Sequence, residues 1–75
     1  MAFGHVFLKI YDRKILSGET TFSRSGIRGN DFTQMCINPE YVMSEEALAI
    51  VCQKMPLTEE EKKQIYDAAG YEYQP

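Results

Sequence analysis

Few residues of the kinds used in catalysis or metal binding occur in this chain. It has one histidine, His5, and two cysteines, Cys36 and Cys52, which are not at the spacing of a zinc site. Because no nucleophile lies beside a candidate base, His5 is predicted to be a surface residue, and neither enzyme activity nor a cofactor is expected. The cysteines could form one disulfide, but two buried thiols in a reducing cytosol are the simpler prediction.

Long apolar runs are also absent. No stretch approaches membrane-spanning length, and the N-terminus lacks a basic region followed by a hydrophobic one. We therefore expect a cytoplasmic protein that does not bind a membrane. The 75 residues, 44% of them hydrophobic, predict a single folded domain, 1–75, whose last residues, 72–75, form a short tail. Two expectations remain open for the tail, which either packs back on the first helix or contributes to a dimer contact.

Positive charge is scarce and unevenly distributed. The formal net charge is −3, but residues 1–37 carry five Lys or Arg against three Asp or Glu, a net of +2. Residues 38–75 carry three against eight, a net of −5. Any contact with nucleic-acid phosphate is therefore expected in the N-terminal half, with weak and strongly salt-dependent non-specific affinity.

Helical periodicity and capping signals are clearest at the two ends of the chain. Apolar residues three and four apart predict a first helix over residues 3–14. Ser44 is predicted to begin a fourth helix, and the Thr58-x-x-Glu61 capping box a fifth, which ends at Gly70. Three methionines are predicted to fill the core: Met35, Met43 and Met55.

The middle of the chain predicts two short helices joined by a tight turn. Residues 17–25 are expected to form the second helix, with Ser17 as its N-cap and Phe22 as its anchor in the core. The turn lies at Ser25-Gly26-Ile27, where glycine accepts a positive φ and the isoleucine points inward. A third helix follows over residues 28–36. Two short helices joined by a glycine turn are typical of a helix-turn-helix, whose second helix enters the DNA major groove.

The third helix is predicted to have one apolar and one polar face. Its apolar face contains Phe32, Met35 and Cys36. The polar side chains are left for solvent or for a partner: Arg28, Asn30, Asp31, Thr33 and Gln34.

Residues with the order and spacing of a known family run from about 3 to 71. They are Phe3-Gly4, Leu8-Lys9, Leu16-Ser17, Glu19, Arg24-Ser25-Gly26-Ile27, Phe32, Leu48, and Leu57-Thr58 through Gly70-Tyr71. In these positions the chain resembles the phage-repressor class of helix-turn-helix domain, also called the XRE or Cro-like class. The resemblance implies an all-α, lambda repressor-like bundle of about five short helices. It also implies a bacterial or phage regulator, of phage or mobile-element origin, that binds operator DNA, often as a homodimer.

By position, the resemblance implies which side chains would contact double-stranded DNA. The residues that would read base edges are Arg28, Asn30, Thr33 and Gln34. Arginine suits guanine and an amide suits adenine, since each pair forms two parallel hydrogen bonds. The residues that would contact phosphate are Lys9, Arg13, Lys14, Ser17 and Arg24.

The chain departs from the family pattern at several positions, which keeps a second function open. Gly18 and Gly29 stand where the family often has side chains that touch DNA. Tyr11 and Cys36 replace an Arg–Glu pair found in some members, and their joint absence avoids a stranded buried charge. The alternative is a protein-interaction module, such as a small inhibitor or an antitoxin, that keeps the fold without the DNA site. The polar side chains of residues 28–34 would then be merely the solvated face of a short helix.

Overall fold

Helices account for all the regular secondary structure in the computed structural model, which describes residues 2–74. The helices are α1 (Phe3–Leu16), α2 (Phe22–Ser25), α3 (Gly29–Ile37), α4 (Glu45–Lys54) and α5 (Glu59–Ala69). No strand occurs within this range, and the radius of gyration is 11.1 Å. The prediction of a compact all-α fold with about five short helices is confirmed.

The core is built from side chains of α1, α3, α4 and α5. Phe7, Leu48, Val51 and Ile65 are completely buried, as is Met43 in the segment before α4. The three methionines predicted as core filler are indeed buried. Flexible side chains of this kind fill irregular gaps between short helices.

A glycine allows α1 and α3 to approach closely. A Cβ atom placed on Gly4 would lie 3.0 Å from the carbonyl oxygen of Met35 and 3.3 Å from its Cβ atom. Contacts this short are tighter than ordinary packing, so a side chain at this position would push the two helices apart. Gly4 therefore helps to set the position of α3 against the rest of the domain.

The seam between α1 and α5 is held by a nearly buried ion pair. Lys14 Nζ lies 3.0 Å from Glu61 Oε1, and both side chains are at most 14% exposed. Glu61 also completes the predicted capping box, since Oε1 accepts from the Thr58 amide while the Thr58 hydroxyl accepts from the Glu61 amide. Burial alone would raise the pKa of Glu61, but the Thr58 amide and Lys14 outweigh it and hold that pKa below its usual value.

The predicted start of the second helix is wrong. Ser17 is the C-cap of α1, and its amide donates to the carbonyl of Arg13 at 3.0 Å. α1 runs two residues further than predicted, and α2 begins only at Phe22, where the Thr21 side chain accepts a hydrogen bond from the Arg24 amide. Both Ser17 and Thr21 suit an N-cap, and the length of α1 decides between them.

Phe22 does not anchor α2 in the core. It is 42% exposed and packs edge-on against Phe32, with ring centroids 5.5 Å apart. α2 is held at its other end, where Ser25 is completely buried and Ile27 is nearly so. Because α2 has only four residues, the side chains at its first and last positions cannot both reach the core.

Two further predictions on burial need correction. Cys36 is exposed and Cys52 is half-buried, and both are free thiols rather than two buried ones. Asp31 was expected to face solvent, but only 2% of it is exposed. It lies on the inner side of α3, because it is four residues before the buried Met35 and therefore on the same face, where the Tyr41 hydroxyl covers it.

Tyr71 and Tyr73, just after α5, pack back on the domain through contacts with α5 and with the segment before α4, and residue 75 of the predicted tail lies outside the described residues. The Tyr71 hydroxyl donates to the Met43 carbonyl at 2.8 Å. The Tyr73 ring packs on Tyr66, with centroids 5.3 Å apart, and its hydroxyl bonds to Glu59. The glycine before the tail ends α5 in the left-handed conformation, as predicted.

Candidate nucleic-acid interface

The turn between α2 and α3 is rigidly packed. Gly26 has a φ of +82°, and the buried Ser25 hydroxyl donates to the Phe22 carbonyl at 2.8 Å while accepting from the Ile27 amide at 3.3 Å. A Cβ atom on Gly26 would lie 2.8 Å from Lys54 Cδ, so the turn is in contact with α4. The predicted glycine turn and inward isoleucine are confirmed, and they determine where α3 begins.

Most of the predicted base-reading residues lie in or just before α3 and have exposed side chains. Arg28, Asn30 and Thr33 are exposed, whereas Gln34 is half-buried. On the inner face Met35 is buried, and Phe32 packs between Phe22 and Tyr11. The exposed group therefore occupies the first half of the helix, and Gln34 lies at the margin of this surface.

An ion pair that was not predicted supports Arg28. Its Nε atom lies 3.0 Å from Oδ2 of the buried Asp31, while the Arg28 side chain as a whole is 69% exposed. The Tyr41 hydroxyl donates to the other carboxylate oxygen, Oδ1. This hydrogen bond to Asp31, with partial burial, raises the pKa of Tyr41. The i, i+3 spacing of Arg28 and Asp31 was a usable signal in the sequence, but nothing there indicated Tyr41.

Only some of the residues predicted to contact phosphate have a cationic group that is free for such a contact. Lys9 and Arg24 are exposed, and neither forms an ion pair within the described residues. Arg13 Nη2 lies 3.3 Å from Glu61 Oε2, although its side chain is still 60% exposed. Contact with phosphate at Arg13 would therefore compete with an ion pair inside the fold.

Two of the predicted phosphate contacts are contradicted by the structure. Lys14 is buried and bound to Glu61, so its ammonium is not available to a partner. Ser17 does not lie at a helix N-terminus, and its hydroxyl is within hydrogen-bond distance of two acceptors, Glu19 Oε2 at 2.6 Å and the Lys14 carbonyl at 3.1 Å, for its single proton. In both cases the group that was expected to face DNA is used within the fold.

Lys54, which belongs to the acidic C-terminal half of the sequence, lies beside the turn between α2 and α3. The aliphatic part of Lys54 covers Gly26, and this lysine is exposed. A small depression next to it is lined by Gly26, Arg28 and Ile50, and also by the acidic Glu46. The electrostatic surface around the start of α3 is therefore mixed, with Lys54 and Arg24 partly offset by Glu46.

A second surface feature lies between α1 and the end of α3. It is an open groove of about 900 Å³ lined mainly by apolar side chains. Ile37, at its edge, is 70% exposed. Cys36 and His5 also line the groove, and His5 is exposed as predicted.

Some classes of site are not present in the part of the chain that the structure describes. Within residues 2–74 no group of three His, Cys, Asp or Glu side chains is arranged to hold a metal ion. None of the described helices combines the length and the apolar character needed to cross a membrane. In comparisons with known proteins, no family model, no curated protein and no solved structure matches this chain.

Proposed function

We propose that this domain binds double-stranded DNA in a sequence-specific manner and acts as a transcriptional regulator of the phage-repressor helix-turn-helix class. The observation that carries the proposal is the exposure of Arg28, the N-cap of α3, and of Asn30 and Thr33 in its first half, directly after a packed glycine turn. In this role α3 enters the major groove, where arginine pairs with guanine and asparagine with adenine.

Exposed cations near α3 would contact a small number of DNA phosphates. Arg24 and Lys54 lie in α2 and at the end of α4, on either side of the Gly26 turn. Lys9 adds a third exposed cation on α1. With so few phosphate contacts, non-specific binding is weak, and the dependence of affinity on salt is shallower than for a strongly basic protein.

The experiment is selection of binding sites from a library of random duplexes at low salt, followed by affinity measurement on the recovered sequence. Arg28→Ala is expected to weaken binding by about 1–3 kcal/mol, the value of one good base contact. Lys63→Ala is the matched control, since it removes the same charge from an exposed position on α5. Failure to recover any sequence, or equal losses in both variants, would contradict the proposal.

A second candidate, a protein-interaction module such as a small inhibitor or an antitoxin, is favoured by the apolar groove. The exposed Ile37 at its edge would bury its side chain against a protein partner. For this function Ile37→Asp abolishes recovery of the partner from the native host, whereas Arg28→Ala leaves it unchanged. The reverse pattern would exclude the groove as the binding surface.

A further inference from the structure

At the start of α3 three side chains are linked by hydrogen bonds, with Asp31 between Arg28 and Tyr41. The carboxylate of Asp31 is only 3% exposed, and each of its oxygens has one partner, Arg28 Nε on one side and the Tyr41 hydroxyl on the other. Tyr41 lies outside α3, in the segment that leads to α4. The orientation of the carboxylate is therefore determined by two parts of the chain and not by α3 alone.

The network leaves one edge of the guanidinium free. A guanidinium is planar, and its Nε–H is held by Asp31, so rotation of the plane is restricted. The two terminal nitrogens form the outer edge, on a side chain that is 69% exposed. Because Arg28 is already oriented, it loses less conformational entropy on binding than a free arginine would.

We infer that Asp31 and Tyr41 are positioning residues that direct the terminal nitrogens of Arg28 toward the O6 and N7 atoms of a guanine. This inference rests on the proposed function and deepens it, since it names the base that the start of α3 reads. It also assigns a role to two residues outside the predicted base-reading set.

The charge of the pair favours a base edge over a phosphate. Asp31 neutralises Arg28, so the pair adds little net attraction for a phosphate group. Its directional hydrogen-bond donors remain, and two parallel bonds to O6 and N7 require that direction. A phosphate offers acceptors in several directions, so fixing the arginine plane would bring less advantage there.

The test compares base preference in the sites selected from random duplexes. We expect the wild type to select guanine at one position and Arg28→Ala to lose that preference by roughly ten- to hundred-fold. Tyr41→Phe keeps the ring and removes only the hydroxyl donor. It is expected to reduce the guanine preference by about three- to ten-fold, because loss of one hydrogen bond loosens the carboxylate. Affinity for unrelated duplexes should not change.

Matched variants separate positioning from general stability. Tyr66→Phe removes a hydroxyl from another partly buried ring and should leave base preference unchanged. Asp31→Asn keeps an acceptor for Arg28 Nε and is expected to retain more of the preference than Asp31→Ala. If Asp31→Ala does not fold, Tyr41→Phe and Asp31→Asn still decide the question.

Two readouts distinguish failure of this inference from failure of the proposed function. Replacing the selected guanine with 7-deazaguanine should weaken the wild type and leave Arg28→Ala unaffected. Without DNA, the Nε–H NMR signal of Arg28 should be protected from solvent exchange in the wild type and less protected in Tyr41→Phe. Unchanged base preference in Tyr41→Phe and both Asp31 variants would overturn the positioning role while leaving DNA binding intact.

Two further outcomes would also overturn the inference. If Arg28→Ala weakens all duplexes equally and lowers the salt slope by about one, Arg28 contacts phosphate and not guanine. If no duplex is selected although the Nε–H is protected, the proposed function fails and the guanine contact fails with it. In that case the side-chain network remains only as a structural feature of α3.

Discussion

The α1–α5 seam and the start of α3 use the same residue types in opposite ways. In the seam, the Lys14 ammonium is buried against Glu61, and Arg13 contacts the same carboxylate. On α3, Arg28 also has an acidic partner, but that partner occupies only Nε and leaves the rest of the guanidinium in solvent. The seam thus uses its charged groups within the fold, whereas the Arg28 side chain at the start of α3 stays mostly exposed.

The difference shows why a count of charges is a poor guide to a binding surface. The sequence placed five cations in the N-terminal half, and three of them, Arg13, Lys14 and Arg28, form ion pairs within the domain. Lys54, counted with the acidic half, lies beside the turn that precedes α3. Burial and the nearest carboxylate therefore decide which cations are available to a partner.

The largest expected effect comes from breaking the seam. Lys14→Met should lower the free energy of unfolding by about 2–3 kcal/mol, because it leaves a nearly buried carboxylate without its closest cation. Urea denaturation measures this change. Lys9→Met, at an exposed position on the same helix, should change stability by less than about 0.5 kcal/mol. Equal values for the two variants would mean that the seam contributes nothing.

Two glycine-to-alanine substitutions test how closely α3 packs against α1. Gly4→Ala should destabilise the domain by about 1–2 kcal/mol, since the added methyl group meets the backbone of Met35. Gly29→Ala, at the first position of α3, adds a methyl group that meets no other part of the domain and should stabilise the protein by about 0.5 kcal/mol. Thermal unfolding of both variants gives the comparison. If Gly29→Ala lowers the stability and Gly4→Ala does not, the packing described at Gly4 is wrong.

The cations beside the turn are expected to have a smaller effect, seen only in DNA binding. Arg24→Ala should reduce the slope of log affinity against log salt by about one, because one phosphate contact is lost. Base preference should be unchanged, since a phosphate contact carries no sequence information. Binding isotherms at several salt concentrations measure both quantities. A changed base preference with an unchanged slope would assign Arg24 to the bases instead.

The smallest expected effect is a pH dependence that belongs to the seam. The pKa of Glu61 is lower in the folded protein than its ordinary value of 4.5, so its contribution to stability is present above that value. It is lost as the pH falls through the folded pKa. Stability of the wild type should therefore decrease below about pH 4.5, and less steeply in Glu61→Gln. Glu60→Gln, at an exposed neighbouring position, should follow the wild type.

The elements that could be predicted are those with local signals. The N-cap residue Ser44 and the Thr58–Glu61 capping box are short sequence signals that mark the starts of α4 and α5. A glycine likewise marks the turn before α3. The start of α2 lacked such a signal, because Ser17 and Thr21 are both suitable caps and the choice depends on how far α1 extends.

The candidate site was predictable in part for the same reason. The exposure of Asn30 and Thr33 follows from helical spacing, which places both on the side of α3 opposite the buried Met35, whereas Arg28 precedes the helix as its N-cap. The burial of Asp31 and its bond to Tyr41 depend on the packing of a segment ten residues away. The burial of Lys14 depends on Glu61, 47 positions further along the chain. Spacing within one helix carries no information about either contact.

The most direct measurement compares two arginines on one selected duplex, one from each region. The dissociation constants of Arg28→Ala and Arg13→Ala are measured at the same salt concentration, since both variants remove one positive charge. We predict that Arg28→Ala binds at least about tenfold more weakly than Arg13→Ala, because the proposed function gives a base contact to Arg28 and none to Arg13. Equal dissociation constants, or a larger loss for Arg13→Ala, would contradict the assignment of DNA recognition to α3.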